Sequence, residues 1–404
     1  MRLVLIVDSY PPDSANAAGR MMRELGESLV DLGHEVLLAT PSPTLTNRSD
    51  LTQEGKLWVL RARSSQAKGQ SHLARGLAEL GFPLCLGQAL SRLDWIREPV
   101  DGIIWYSPSI FFGPLIAWLK WRYRARTYLI LRDIFPNWAL QTGTLKPGLS
   151  AILLRLVAEF QYWIADTIAV QAKDDAGHLH HLPAAKLQVL PNWVSAAPGV
   201  PEPPDWMEEP WFLESELLVL GGALGPAQDP DNILRLATRL QSRKTCMILS
   251  VGDSDRSDFQ AKSQALGLDN IVIKPGLSGP TFDLLLSKAR LGLISLNKDL
   301  RTQNVPGRFL SHLNAGLPTI ASLNPNNSLF DLFETTNCGT AVQNGDDEGF
   351  YRAVVRALDQ RDLRETQAKH AKDLAKLFQP KQAATSILAR MASLGPTTPI
   401  APNP

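Results

Sequence analysis

The sequence predicts an α/β protein made of two doubly wound, parallel-sheet domains. Three observations carry that expectation. Short continuous apolar runs alternate with segments whose apolar residues recur at helical spacing, and parallel strands need such crossovers. The alternation runs twice, on either side of a proline-crowded acidic stretch, PGVPEPPDWMEEP. The chain, at 404 residues, is longer than one hydrophobic core supports, since single cores stop growing near ~250–300 residues.

The first βαβ unit sets the pattern. Leu3 to Val7 reads as a buried strand and SYPPDSANAAG as a loop, after which Met22, Leu25, Leu29 and Leu32 line one helix face. Gly33 ends that helix, and Glu35 to Ala39 forms the next strand. Further strands are expected at Trp58–Leu60, Gly102–Trp105, Tyr128–Leu131, Thr167–Val170 and Leu187–Leu190. Pro198, Pro201, Pro203, Pro204 and Pro210 speak against a helix or inner strand in the acidic stretch, which reads as a connection. The expected division is therefore an N-terminal domain over 1–197, a linker over 198–213 and a C-terminal domain over 214–393. The second domain runs strand LLVLGG, a helix from Asp231, then strands MILSVG, NIVIKP, LGLISL and PTIAS with helices between, and the helices after Asp347 finish it, with a crossing back to the first domain as the alternative. Residues 394–404, ending GPTTPIAPNP, read as a disordered tail.

Composition narrows the function classes. With 41 Lys and Arg against 40 Asp and Glu, the net charge of +1 gives no field to attract nucleic acid. Cys85, Cys246 and Cys338 lie far apart with no CxxC pair, which speaks against a disulfide framework or cysteine zinc site and for a reducing compartment. The opening apolar run is too short for a signal-peptide core. Ile110 to Leu119, the longest uncharged apolar stretch, falls well short of the ~18 residues that cross a bilayer. A cytoplasmic protein, soluble or peripheral on a membrane, is expected.

Doubly wound sheets bind ligands beyond the carboxyl ends of their strands. Two loops at such positions are rich in small residues: Ala15 to Arg20, which includes Gly19, and Gly221 to Gly225, which includes Gly222. Small residues let an anion reach backbone N–H groups, where a helix terminus adds about half a positive charge. They also serve tight turns and close helix packing, and the sequence leaves both readings open. Neither loop matches GxGxxG or GxxxxGK[ST], so a dehydrogenase or P-loop enzyme is not indicated. The stretch Val305 to Pro318 says more. It opens with Pro306 near the first helical position, closes with Gly316 as a C-cap, and sets Arg308 in the first turn. A cation there opposes the helix dipole, unless it converges with the backbone N–H groups on a bound anion or is simply solvated.

The string VPGRFLSHLNAGLPTIAS resembles the P-S-K-x-x-E-Y-x-A-x-G-x-P-x-x-A segment of retaining GT-B glycosyltransferases of family 4. Other pieces fall in the same order. The segment from SYPPD to LLAT resembles the family's first βαβ, LILRDIFPNWALQTG its D-L-W-P-E segment, and VLPNWV its P-N-G-V. GGALGPAQDPDNIL resembles the G-N-L-G-x-x-Q loop and ILSVGDSD the V-G-D-G strand end. The likeness covers roughly residues 1–390 and is closest to the fucosamine-transferase-like branch of bacterial surface-polysaccharide synthesis. It implies two Rossmann-like domains facing a cleft, the GT-B arrangement. It further implies a nucleotide-diphosphate-sugar donor on the C-terminal domain, a glycan or lipid-linked acceptor on the N-terminal domain, retention of anomeric configuration, and neither metal nor cofactor.

Carried over by position, Gly222 and Gly225 face the donor, Gln228 matches the closer branch, and Arg308 takes the place of the motif Lys to neutralise the diphosphate. Gly19 lines the cleft from the opposite loop, and Arg132 and Asp133 stand where many relatives keep a His near the donor sugar. A carboxylate such as Asp133 would steady the sugar or orient the acceptor hydroxyl, or else cap a helix or pair with Arg132. The segment also departs from the family. Its two Glu positions, eight apart, are Gln303 and Ser311; the Arg and Lys of the donor-domain loop are Ala223 and Gln228; the Glu of W-P-E is Asn137. Two rival readings share the architecture: a catalytically degenerate scaffold of a polysaccharide assembly complex, and a sugar-nucleotide epimerase.

Of the histidines, His312 lies inside the donor segment and is a candidate base or sugar contact, whereas His178, His180 and His181 have spacings that suit helix-end solvation better than a metal. Trp118 to Arg126 interleaves four cations with three aromatics and no acid. That composition suits contact with an anionic membrane surface, the other reading being core tryptophans with solvated arginines.

Overall fold

The computed structural model describes residues 1–14, 17–65, 72–132, 134–141, 145–195, 201–222, 224, 227–251, 253–277, 279–300 and 305–394. The chain divides into two compact units, one of residues 1–191 with the C-terminal segment from Pro380, the other of residues 192–379.

The first unit carries strands β1 (Arg2–Ile6), β2 (Glu35–Ser42), β3 (Ser49–Glu54), β4 (Leu57–Arg63), β5 (Gly102–Tyr106), β6 (Arg126–Ile130), β7 (Thr167–Val170) and β8 (Leu187–Val189), in the order β3-β4-β2-β1-β5-β6-β7-β8. All pairs are parallel except β3 with β4. The two-residue side-chain period sorts β1 between two helix layers. Val4 and Ile6 join the cluster formed with helices α2 (His72–Ser91), α3 (Gly113–Tyr123) and α5 (Leu149–Ile164), which follows the short α4 (Asn137–Gln141). Leu5 points instead towards Gly26 of α1 (Ala17–Asp31), and Leu3 towards Met391 beside Gly102. The antiparallel edge strand β3 was not anticipated; its sequence, SDLTQE, has neither an apolar run nor buried residues.

The second unit follows the short α6 (Lys173–Gly177) and β8 of the first. It begins with α7 (Pro210–Glu214) and continues β9 (Glu216–Gly221), α8 (Pro230–Leu240), β10 (Thr245–Val251), α9 (Asp253–Ala265), β11 (Ile271–Pro275), α10 (Gly279–Lys288) and β12 (Leu291–Ser295). It closes with α11 (Gly307–Ala315), β13 (Thr319–Leu323), α12 (Leu329–Thr336), β14 (Gly339–Gln343), α13 (Asp347–Asp359) and α14 (Arg361–Ala375). The sheet is parallel, in the order β11-β10-β9-β12-β13-β14. Leu218 and Leu220 pack with α8 and α13, while Leu217 and Val219 pack with α10.

Two boundary expectations change. The last helix, α15 (Pro380–Ser393), belongs to the first unit, where Met391 meets Gly102 and Gln188 bonds Ser386 at 2.9 Å; the sequence had placed it in the C-terminal domain. The proline-rich stretch is also no bare linker. Residues 205–207 form a helical turn, Pro210 opens α7, and Met207 and Phe212 are buried against β9 and β10. Proline is tolerated at a first helical turn because its missing N–H has no partner there in any case. Of the expected tail, residues 395–404 lie outside the described residues.

Candidate functional site

In each sheet the strand order reverses beside the first strand of its Rossmann-like series, and such switch points are where doubly wound sheets take ligands. In the second unit the point lies at the carboxyl ends of β9 and β12. The loop after β9 begins with Gly222, exposed and at φ +91°, a left-handed conformation that a Cβ would strain. Its N–H donates to the Ser250 carbonyl at 2.9 Å, which fixes the turn.

The chain leaving β12 reaches α11, capped by Pro306 and closed by Gly316 at φ +66°. Arg308 stands in the first turn of that helix. A Cβ built on Gly222 would lie 3.4 Å from its guanidinium, so the two loops converge at the switch point. Burial draws the Arg308 pKa down to about 10, which still leaves it cationic near neutrality.

Beneath them the start of α8 is tied to the strand ends. Asp229 caps α8 by accepting from the Asn232 N–H at 3.0 Å, and Asn344 donates to the Asp229 carboxylate at 3.1 Å. Asn232 donates to Ser295 Oγ at 3.1 Å, and Ser295 Oγ donates to the Asp229 carbonyl at 2.9 Å. Sequence reasoning missed this network; its available signal was Asp229 before Pro230, a cap followed by an N1 proline. Gln228 forms a bridge to Leu296 beside it, and its buried side-chain Oε1 has no hydrogen-bond partner among the described residues. A buried acceptor left unmatched is costly, so it is a natural place for a ligand donor.

The other expected residues separate. Gly225, Asp133 and Gln303 lie outside the described residues. Ser311 is half-buried in α11. His312, expected to touch a base or sugar, is instead fully buried. Its ring lies against Gly292, and its Nδ1 is 3.1 Å from Thr319 Oγ1, at the amino-terminal ends of β12 and β13 rather than the carboxyl ends. Burial and the Arg308 charge push its pKa down to about 3, so it is neutral.

Gly19 is buried too. A Cβ there would sit 2.9 Å from the Ser9 carbonyl oxygen and 3.1 Å from Tyr10 Cα, so this glycine lets α1 close on its own preceding loop. Arg132, at the end of β6, donates to the Leu190 carbonyl at 2.7 Å, tying that end to the end of β8; desolvation lowers its pKa. In the Trp118–Arg126 segment Lys120 turns inward to Asp166 at 2.5 Å and to the Ile164 carbonyl at 3.0 Å, while Trp121 and Arg122 are exposed.

Comparisons with known proteins bear on the fold. Residues 16–193 match the family described as the Glycosyl transferase 4-like domain. No curated protein matches the chain. Among solved structures, a sucrose-phosphate synthase from Thermosynechococcus elongatus is similar at 14% identity and TM-score 0.70, over 97% of this chain and 98% of that one. An E. coli structure described as trehalose-6-phosphate bound with UDP-2-fluoro glucose is similar at 12% identity and TM-score 0.68, over 98% of this chain and all of that one (100%). WaaG, a glycosyltransferase involved in lipopolysaccharide biosynthesis, is similar at 16% identity and TM-score 0.60, over 95% and 99%. The structural likenesses establish a GT-B fold over the whole chain.

Proposed function

We propose that the protein transfers a sugar from a nucleotide-diphosphate-sugar to a glycan acceptor, with the donor held by the second unit. The observation that carries this reading is the convergence of Gly222 and Arg308 at the β9–β12 switch point. Breaking the bond between the anomeric carbon and the diphosphate builds negative charge on the departing phosphate. The Arg308 guanidinium and the N–H groups opening α11 would stabilise that charge without proton transfer, in place from the start and partly shielded from water. Gly222, lacking a side chain, lets the phosphates approach the backbone, and Gln228 Oε1 is available to accept from a sugar hydroxyl. Neither metal nor cofactor is assigned to the reaction, and no protein nucleophile. The E. coli neighbour bound to UDP-2-fluoro glucose supports a donor of this class.

The finer parts of the reading rest on the motif resemblance: retention of configuration, kinship with the fucosamine-transferase-like branch, and a lipid-linked acceptor met at the inner face of the cytoplasmic membrane. WaaG's part in lipopolysaccharide biosynthesis and the exposed Trp121 and Arg122 are consistent with them. Among the described residues no helix is long and apolar enough to cross a membrane.

The test is a thermal-shift panel of UDP, GDP, ADP, CMP and dTDP on wild type and Arg308→Ala. A ligand that binds only the folded state raises the melting temperature. One nucleotide should stabilise the wild type and fail to stabilise the variant. A charge-assisted contact to diphosphate is worth ~1.5–3 kcal/mol, so affinity should fall about tenfold to hundredfold. No shift with any nucleotide at millimolar ligand would overturn the donor site and favour the scaffold reading, with Gln303 and Ser311 marking a lost function.

A further inference from the structure

Helix α5 has two apolar faces. One, with Ala151, Ala158, Tyr162 and Ile164, is buried in the first unit. The other carries Leu149, Ile152, Leu153, Leu156, Phe160 and Trp163, which recur at three- and four-residue spacing and so form one stripe. That stripe faces solvent: Leu149 is 72% exposed, and Leu156 and Trp163 are 61% exposed. A single exposed leucine means little, but a contiguous stripe of large side chains marks an interaction surface.

The neighbouring helices α3 and α2 also expose large apolar side chains. Gly113, Ala117 and Trp121 share one side of α3; Phe160 of α5 lies against Gly113, and Trp121 at the far end is 74% exposed. On α2, Leu80 and Leu84 stand out one turn apart. The charges around this surface have one prevailing sign. Exposed Lys146, Arg155, Arg122 and Arg124 lie on or beside α5 and α3, and α3 has no acid. Of the acids there, Glu159 lies on α5 itself, 3.0 Å from His181, Asp166 is taken by Lys120, and Asp94 and Glu98, beside the end of α3, pair with Arg97 and Arg2.

We propose that the α5 face, with Trp121, is an interfacial docking surface for an anionic lipid bilayer. Leucines and tryptophans on a helix lying in the membrane plane enter the headgroup boundary, while a fringe of Arg and Lys meets anionic headgroups. That charge pattern is the reason to choose lipid over a second copy of the chain, since a two-fold contact would set the same cations against each other. The inference rests on the peripheral-membrane part of the proposed function and moves the principal contact from Trp118–Arg126 to α5; it does not involve the donor site.

The experiment is co-sedimentation with vesicles of equal parts phosphatidylglycerol and phosphatidylcholine, and with phosphatidylcholine alone, using wild type, Leu153→Glu/Leu156→Glu and Arg122→Glu/Arg155→Glu. Wild type should bind the anionic vesicles, with a blue shift of tryptophan emission. The leucine variant should lose about tenfold or more in vesicle affinity, as expected for withdrawing two leucines from an apolar phase. The arginine variant should lose its preference for anionic lipid. Because all four positions are exposed, both variants should keep the wild-type melting temperature and its nucleotide-dependent shift. Absent binding by wild type, or equal binding by a folded leucine variant, would overturn the proposal. So would a wild-type dimer in light scattering that the leucine variant converts to monomer. The nucleotide shift reads the donor site separately, so its loss in wild type would count against the glycosyltransferase reading and not against the surface.

Discussion

Each unit sets a glycine beside its sheet's switch point, Gly19 in the first turn of α1 and Gly222 directly after β9, and their surroundings differ. Gly19 is sealed by the backbone of Ser9 and Tyr10, with Arg61 donating to the Pro11 carbonyl at 2.7 Å from behind. Gly222 is exposed, left-handed, and faces a guanidinium. Both patterns look alike as sequence, a cluster of small residues after a strand. What separates them is what fills the space a Cβ would take: backbone in one unit, the end of a long cationic side chain in the other. Small residues that let a helix close on its own loop serve packing, whereas those that leave a charged side chain at a strand end suit the donor site proposed above.

Substitution should make that contrast measurable. Gly19→Ala drives a methyl group into rigid backbone, so overpacking should cost about 1–3 kcal/mol of stability. Urea denaturation would read that loss, and nucleotide affinity of the folded fraction should be unchanged. Gly222→Ala should cost a smaller ~1 kcal/mol from its left-handed φ, yet weaken nucleotide binding, because the new methyl occupies the approach to Arg308. If Gly19→Ala lowered affinity while Gly222→Ala did not, the two loops would have exchanged roles and the donor assignment would fall.

The parallel strands, the helices between them and the Pro306–Gly316 frame of α11 were legible because apolar runs, periodicity and caps are local signals. Edge strand β3 was not, since two faces without burial leave no alternation to read. The placement of α15 was hidden for a different reason. Its apolar residues show that it packs, but only tertiary structure shows against which sheet. Within the site, Arg308 was legible as a cation at the wrong end of a dipole. His312 misled, because it shares a helix face with Arg308 but lies one turn further on, where that face meets the sheet at Gly292 and no longer the loop. The Asp229 cap has a local signal, but the ties from Asn232 to Ser295 and from Asn344 to Asp229 join residues more than sixty positions apart and could not be read from one sequence.

The Arg308–His312 pair offers a second contrast, between two groups of one helix that burial affects differently. His312 has its pKa lowered in the folded chain from an ordinary 6.5 to about 3, so between those values the unfolded chain binds a proton that the folded chain refuses. Stability is therefore unaffected by this group above its unfolded pKa and falls as pH drops below it, levelling off only near the folded value. At about pH 5 the loss should be roughly 1–2 kcal/mol. Chemical denaturation at neutral and mildly acidic pH would show it, and His312→Met should lose less stability over that interval than wild type. An identical pH dependence would mean the ring is open to water, returning His312 to the list of ligand contacts.

The smallest expected effect concerns the kind of cation at Arg308. The family motif that this segment resembles has Lys there, and Lys keeps the positive charge at the α11 terminus while giving up the planar fork that can bind two oxygens at once. If charge at that terminus is what holds the diphosphate, Arg308→Lys should cost only about threefold in nucleotide affinity by calorimetry, far less than Arg308→Ala. A Lys variant as weak as the Ala variant would show that the fork geometry, not the charge, does the binding. The long Arg would then be specific to this chain's own site, where Ser311 replaces the longer acidic side chain one turn further along the helix.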